Sequence, residues 1–110
     1  MHLYSIDTIL DQLSSAGRAY DEFLRVPAMS MGVYRLKVGD FDRQTPHTED
    51  EAYFVVRGRA KFRVRDEERD VSAGDVLFVE KNIEHRFVDV TEELVLLVLF
   101  APAEHSLRRE

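Results

Sequence analysis

Residues 39–58 read GDFDRQTPHTEDEAYFVVRG, and this stretch decides the fold. Its second half is a β-type run in which side chains two positions apart share a face, so Glu51, Tyr53 and Val55 point to one side. A carboxylate on the same face as a tyrosine and a valine is costly to bury alone, and a cation is its natural partner. The stretch therefore predicts a strand that carries one charged side chain among apolar ones.

Short runs rich in Val, Phe, Tyr and Leu continue on both sides of this stretch, with turn signals roughly 8–12 residues apart, which is typical of β-sandwiches and barrels. The predicted strands are 30–38, 51–57, 60–65, 76–79, 84–90 and 94–100, with shorter ones near 18–26, 43–47 and 68–71. The predicted turns are Gly39-Asp40, Gly58-Arg59, Asp66-Glu67 and Gly74-Asp75. In strand 84–90, the same alternation places His85, Phe87 and Asp89 on one face. We therefore expect an all-β barrel.

The chain ahead of the strands carries one helical pattern. Residues 5–14 place apolar side chains at helical spacing, with Ser5 as the amino-terminal cap, Asp7 in the first turn and Gly17 beyond the end. At the other end, residues 102–110 are polar, and we expect a flexible tail there. The whole chain, 1–110, is predicted to be one domain with its barrel core at about 30–101.

Composition excludes several classes of function. The net charge of −6 and the pI near 5.2 argue against nucleic acid or an anionic membrane as a partner. There is no cysteine, so disulfides and thiolate ligands are excluded, and a metal must be held by imidazole and carboxylate. The N-terminus lacks a signal-peptide pattern, and the longest apolar run, Leu94–Ala101, is too short to span a bilayer, so we expect a cytoplasmic protein.

Three residues form a candidate metal site. His47 and Glu51 are four positions apart at the start of a strand, and His85 opens a later strand. A closed barrel can bring side chains from distant strands into one interior. Two imidazoles and one carboxylate suit Fe(II), Mn(II), Ni(II) or Zn(II), and they leave open positions for water, substrate or dioxygen.

The spacing around His47 resembles the first motif of the cupin superfamily, G-x5-H-x-H-x3-E-x6-G. Here the motif begins at Gly39, continues through His47 and Glu51, and ends at Gly58. Every spacing fits. Thr45 stands where the family has its first histidine, and a threonine hydroxyl is a poor ligand for a divalent transition metal.

The second cupin motif, G-x5-P-x-G-x2-H-x3-N, is similar to residues 74–89. Gly74 and His85 match it, while Glu80, Asn82 and Asp89 replace the proline, the glycine and the asparagine. Asn82 is a suitable replacement for glycine because asparagine tolerates left-handed backbone angles.

The resemblance covers residues 30–101 and implies a double-stranded β-helix, a jelly-roll barrel with a metal inside. It implies that His47, Glu51 and His85 are the metal ligands and that the protein is a homodimer acting on a small molecule. Dioxygenase chemistry is the leading class by this resemblance, and isomerase or lyase chemistry comes next.

Two alternatives to the enzyme remain open at this point. One is a small-molecule-binding barrel for sensing or storage, with or without metal, which the loss of the first histidine favours. The other is a dimer scaffold without a ligand. The candidate pocket residues, each also explained by packing or loop structure, are Gln44, Thr45, Tyr53 and Phe87. The acids interpreted as mouth or surface groups are Glu49, Asp50, Glu80 and Glu84.

Overall fold

The described chain begins with a helix whose two ends are set by Ser5 and Gly17. In the computed structural model, which describes residues 1–43 and 46–107, helix α1 spans Ile6–Ala16. The Ser5 side chain accepts a hydrogen bond from the N–H of Thr8, and Gly17 ends the helix in a left-handed conformation. The predicted helix is confirmed, with its end two residues later than expected.

The other described residues form an antiparallel sheet of six strands that curls into a barrel. Their bounds are Tyr20–Val26 (β1), Met29–Leu36 (β2), Asp50–Val64 (β3), Glu67–Ser72 (β4), Val76–Val79 (β5) and His85–Ala101 (β6). The order of the strands in the sheet is β1-β2-β6-β3-β4, and β5 pairs with the first part of β3. The architecture is the predicted double-stranded β-helix with a short N-terminal helix. Among the described residues, no helix has the length and apolar character needed to cross a membrane.

The structure corrects three of the predictions about strands. Predicted strands 51–57 and 60–65 are one strand, β3, because the chain passes Gly58 through register shifts against β6 instead of turning there. Predicted strands 84–90 and 94–100 likewise form one strand, β6. The strand predicted at 43–47 is wrong for Arg43, Pro46 and His47, which lie in a loop, while 44–45 fall outside the described residues.

Two apolar clusters stabilise this sheet, one on each face. Side chains inside the barrel form the larger cluster, which includes Tyr53, Val55, Phe87 and Phe100. On the outside, α1 covers Val33 and Val95 and adds its own buried residues, Ile9, Leu10 and Leu13. Helix α1 thus lies away from the barrel interior, where the candidate ligands are.

The predicted strand faces are confirmed in β3 and partly wrong in β6. Glu51, Tyr53 and Val55 are all buried on the interior face, and so are His85 and Phe87. Asp89, predicted on the same face as His85, is exposed and has a left-handed φ of 51°. The irregular backbone at this point interrupts the alternation, so the two-residue pattern does not extend past Phe87.

Candidate metal centre

Three separate segments bring the predicted ligands together. His47 lies in the loop before β3, Glu51 is the second residue of β3, and His85 is the first residue of β6. The connection from β5 to β6 passes beside the start of β3, because Val79 pairs with Glu51 and the N–H of Asn82 donates to the His47 carbonyl at 2.7 Å. His85 itself pairs with Val64 at the other end of β3, and its side chain reaches Glu51 across the barrel interior. One ligating atom from each of the three residues lies within 4.8 Å of the other two. These three residues form the His-Glu-His cluster.

Asn82 adopts the left-handed backbone conformation that its place in the second motif predicts. Its φ is 64°, in the left-handed region, as expected for a residue that replaces the glycine of the second motif. The N–H of the preceding Lys81 donates to the Asp50 carboxylate at 2.9 Å, so the connection is fixed to the start of β3 at two adjacent residues. This fixation positions His85.

Glu51 is at the centre of the cluster. Its Oε1 atom lies 2.8 Å from Nε2 of His85 and 3.9 Å from Nε2 of His47. The side chain is buried, and within residues 1–43 and 46–107 neither carboxylate oxygen accepts a hydrogen bond, although Oε1 lies at ion-pair distance from His85. A buried carboxylate without donors is costly, so the cluster needs a proton or a cation to be complete.

A hydrogen bond fixes the tautomer of His85. Its Nδ1 lies 2.9 Å from the Ile83 carbonyl oxygen, and since a carbonyl only accepts, Nδ1 carries the hydrogen. In the neutral ring, the Nε2 lone pair therefore accepts a hydrogen bond from the Tyr53 hydroxyl at 3.1 Å, and the same nitrogen faces Glu51. Burial lowers the pKa of His85, but the contact with Glu51 and the Ile83 carbonyl raise it by more, so the pKa lies above 6.5.

His47 lies between two carboxylates. Its Nε2 faces Glu51, and its Nδ1 lies 3.5 Å from Oε2 of Glu104. The ring packs edge-on against Phe100, with the ring centroids 4.7 Å apart. Burial lowers the pKa of His47 by more than Glu51 raises it, and His85 lowers it further. The neutral imidazole, which is the form that binds metals, is therefore favoured at this position.

The cluster fits a divalent transition metal. Two ring nitrogens and a buried carboxylate that accepts no hydrogen bond among the described residues converge in the barrel interior, and this donor set suits Fe, Mn, Ni or Zn. Ligand atoms around a metal with bonds of 2.0–2.2 Å stand roughly 3 Å apart. The separations of 2.8 and 3.9 Å to Glu51 lie on either side of that value, so a metal requires only small side-chain shifts.

A cavity of about 370 Å³ opens beside the His-Glu-His cluster. It is lined by Tyr20, Tyr34, Phe41, Arg43, His47, Glu51, Tyr53, Val98, Phe100 and Glu104. Aromatic and aliphatic side chains therefore form most of the wall, and the charged groups are few. Its size and mixed lining are those of a small-molecule site.

Of the four pocket residues expected from the sequence, the structure describes two, and only one of these lines the cavity. Tyr53 lines the cavity. Phe87 is buried behind Tyr53, with the ring centroids 5.0 Å apart, and belongs to the core instead of the cavity wall. Gln44 and Thr45 lie outside the described residues.

Sequence reasoning missed seven residues of the cavity wall, and three of them, Tyr20, Tyr34 and Glu104, carry polar groups that bear on the site. Burial raises the pKa of both tyrosines, and nearby carboxylates raise it further, so both phenols keep their protons. The Tyr34 hydroxyl donates to the buried Asp42 carboxylate at 3.0 Å. Burial and Glu51 raise the pKa of Glu104, against an opposing effect of His105. The alternation of β2 could have placed Tyr34 inside, but the other two residues lie outside the recognisable motifs.

Glu49, expected to be a surface or mouth acid, is buried instead. Its two carboxylate oxygens accept hydrogen bonds from the N–H groups of His105, at 2.7 Å, and Leu107, at 3.0 Å. Burial raises the pKa of Glu49, but these bonds and one from Thr48 lower it by more. Residues 102–107, the C-terminal segment, are therefore attached beside the cluster, which differs from the flexible tail expected over 102–110.

Comparison with known proteins gives one family and one full-length relative. The profile of the Cupin domain family matches residues 32–101. An uncharacterized protein of Streptomyces coelicolor is 39% identical over 104 residues, which cover 94% of this chain and 99% of the relative.

Two further similarities are more distant. An acireductone dioxygenase of Drosophila pseudoobscura pseudoobscura is 31% identical over 90 residues, and the match covers 76% of this chain but only 48% of that enzyme. An RmlC-like cupin family protein with a double-stranded β-helix fold, from Methanocaldococcus jannaschii, has a TM-score of 0.68 at 13% identity, covering 76% of this chain and 78% of that chain. At that identity, the structural likeness concerns the fold alone.

Proposed function

The chain belongs to the cupin family, and on this premise we propose that it binds a divalent transition metal through His47, Glu51 and His85 to act on a small organic molecule. The observation that carries the proposal is the buried Glu51 carboxylate, whose oxygens have no hydrogen-bond donor among the described residues. A protein retains such a group at a cost in stability, and metal binding is the function that this cost supports.

Metal-dependent dioxygenase chemistry is the reaction class that we propose. Bound at the cluster, the metal would supply a Lewis acid with open positions for a chelating substrate and dioxygen. The cavity would hold the substrate, with Phe100 and Val98 on its apolar side and Tyr53 close to the cluster. The 31% identity to an acireductone dioxygenase supports this class over isomerase or lyase chemistry.

A ligand-binding barrel without turnover is the second candidate. Its support is Thr45, which replaces the first histidine of the family motif and so removes one ligand from the expected set. In that case, the same cavity would hold a small molecule for sensing or storage. A substrate screen under air and under nitrogen separates the two, because a dioxygenase consumes dioxygen together with its substrate, whereas a ligand-binding barrel consumes neither.

Elemental analysis is the experiment that tests the metal site. We expect near-stoichiometric iron, manganese, nickel or zinc in protein purified without chelator or a nickel column, and none in a His47→Ala, His85→Ala double variant. A His2→Ala variant serves as the control, because His2 is exposed and far along the chain from the cluster. Wild-type protein that binds no metal, even after each ion is added back, would contradict the proposal.

We further propose that the protein is a homodimer that uses the outer apolar face of the sheet. This face consists of the side chains beside α1 that the helix does not cover: Met31, Ala52, Phe54, Val76, Phe78, Leu97 and Leu99. Phe54, Val76 and Phe78 are 39%, 71% and 65% exposed, which is unusual for adjacent large apolar groups. The seven side chains include no charge, so the face suits a second identical face and offers nothing to a charged partner.

A substitution on this face tests the dimer. We expect sedimentation analysis to find a wild-type dimer and Phe78→Lys to weaken it by roughly 2 kcal/mol or more, about 30-fold in dissociation constant. Val38→Lys is the matched control, since Val38 is an exposed apolar residue in the turn after β2. A wild-type protein that stays monomeric at high concentration is the contrary result.

A further inference from the structure

The carboxylate of Glu104 faces the nitrogen of His47 that is turned away from Glu51. Oε2 of Glu104 lies 3.5 Å from Nδ1 of His47, whereas Nε2 of the same ring faces Glu51. The two carboxylates therefore lie at opposite nitrogens of one imidazole. A ring held in this way can bind a metal only through Nε2, on the side of the cluster.

The segment that carries Glu104 is held by two side chains, those of Ser30 and Glu49. The N–H of Glu104 donates at 2.9 Å to the hydroxyl oxygen of Ser30, a fully buried residue on the interior side of β2. Beyond it, the N–H groups of His105 and Leu107 donate to the two oxygens of Glu49. Because Glu49 is two residues after His47, the loop that carries the histidine also holds the segment that carries Glu104.

An imidazole that binds a metal through one nitrogen takes its orientation from the group that accepts the hydrogen of the other nitrogen, and a carboxylate in that place also makes the ring a stronger ligand. We propose that Glu104 is a positioning residue for His47, accepting the Nδ1 hydrogen and fixing Nε2 toward Glu51 and His85. The inference rests on the proposed metal site. It adds a residue from the C-terminal segment, beyond the 32–101 range that the Cupin domain profile matches.

His105 is a competing partner for the same carboxylate. Its Nε2 lies 3.6 Å from Oε2 of Glu104, but the ring is half-exposed to solvent. If Glu104 served only this surface pair, removing the His105 ring would change the protein as much as removing the Glu104 charge. The His105→Ala variant keeps the backbone N–H that binds Glu49, so it isolates the ring.

The test compares metal affinity among matched variants. Wild type, Glu104→Gln, Glu104→Asp, His105→Ala and the exposed control Glu92→Gln are titrated with Co²⁺ against a competing chelator, and the visible spectrum of bound Co²⁺ is recorded. For Glu104→Gln, we expect affinity to fall about 10- to 100-fold with a changed spectrum. Glu104→Asp should recover part of the affinity, while His105→Ala and Glu92→Gln should match wild type.

The outcomes of this test distinguish the inference from the proposed function. If wild-type protein binds Co²⁺ and Glu104→Gln protein binds it with equal affinity and an identical spectrum, the role of Glu104 is overturned. The proposed His-Glu-His site would then remain. An equal loss in Glu104→Gln and His105→Ala would also overturn the role of Glu104. Wild-type protein that binds no Co²⁺, Zn²⁺ or Mn²⁺ would overturn the metal site itself. Melting curves of the metal-free variants verify that each is folded.

Discussion

Gly58→Ala is expected to destabilise the protein by about 2–6 kcal/mol, a large part of the stability of any small domain. Gly58 has a φ of 98°, a conformation that residues with a side chain rarely adopt. An added Cβ would also lie 2.2 Å from the Glu93 carbonyl oxygen and 2.7 Å from Cα of Leu94. These are backbone atoms of β6, so they cannot rotate away, and the melting temperature should fall by roughly 15–30 °C for a loss near 4 kcal/mol.

Gly74→Ala is the control for that prediction. Gly74 has almost the same φ, 97°, but an added Cβ would meet no atom within 4 Å. Gly74→Ala should therefore lower the free energy of unfolding only through backbone strain, by about 1–3 kcal/mol. Thermal unfolding of both variants separates the two causes. Equal destabilisation would mean that the close approach of β3 and β6 at Gly58 contributes nothing.

Glu51→Gln is expected to have opposite effects with and without metal. In the presence of metal, the loss of the charged ligand should lower affinity by more than 100-fold, beyond the range seen for groups that act only through a ligand. In metal-free protein above the pKa of His85, the substitution removes a buried, unpartnered charge and should stabilise the fold by about 1–3 kcal/mol. Urea unfolding with and without metal measures both, and Glu84→Gln, an exposed acid beside His85, is the control.

The same variant should change how stability depends on pH. The pKa of His85 is higher in the folded protein than its ordinary value of 6.5, chiefly because Glu51 opposes the effect of burial. The folded state thus holds this proton more tightly than the unfolded chain, and the resulting stabilisation is complete below pH 6.5 and lost as the pH rises through the higher folded pKa. Metal-free Glu51→Gln should lack this decline. A variant with an unchanged pH profile would contradict the pairing of His85 with Glu51.

The barrel and the convergence of His47, Glu51 and His85 were predictable because they depend on local spacing. Alternation placed Glu51, Tyr53 and Val55 on one face, and the two motifs identified His47 and His85 as side chains that a closed barrel can bring into one interior. Each of these inferences needs only the two-residue period of a strand or a fixed number of residues between glycines.

Other features depend on contacts that spacing does not encode. Gly58 has the same sequence signal as a turn glycine, yet here the glycine allows β6 to pass close to a continuous strand. The polar C-terminal segment has no period, and its position depends on Ser30 and on a loop carboxylate, Glu49. No pattern in the sequence therefore indicated that Glu104 lines the cavity.

The last strand in sequence occupies the middle of the sheet, and this has a consequence for the protein during its synthesis. Strand β6 lies between β2 and β3, so both lack their main neighbour until residue 101 has left the ribosome. Their open edges and apolar faces are available to other chains throughout that time. A nascent chain stalled before His85 should therefore aggregate or bind chaperones.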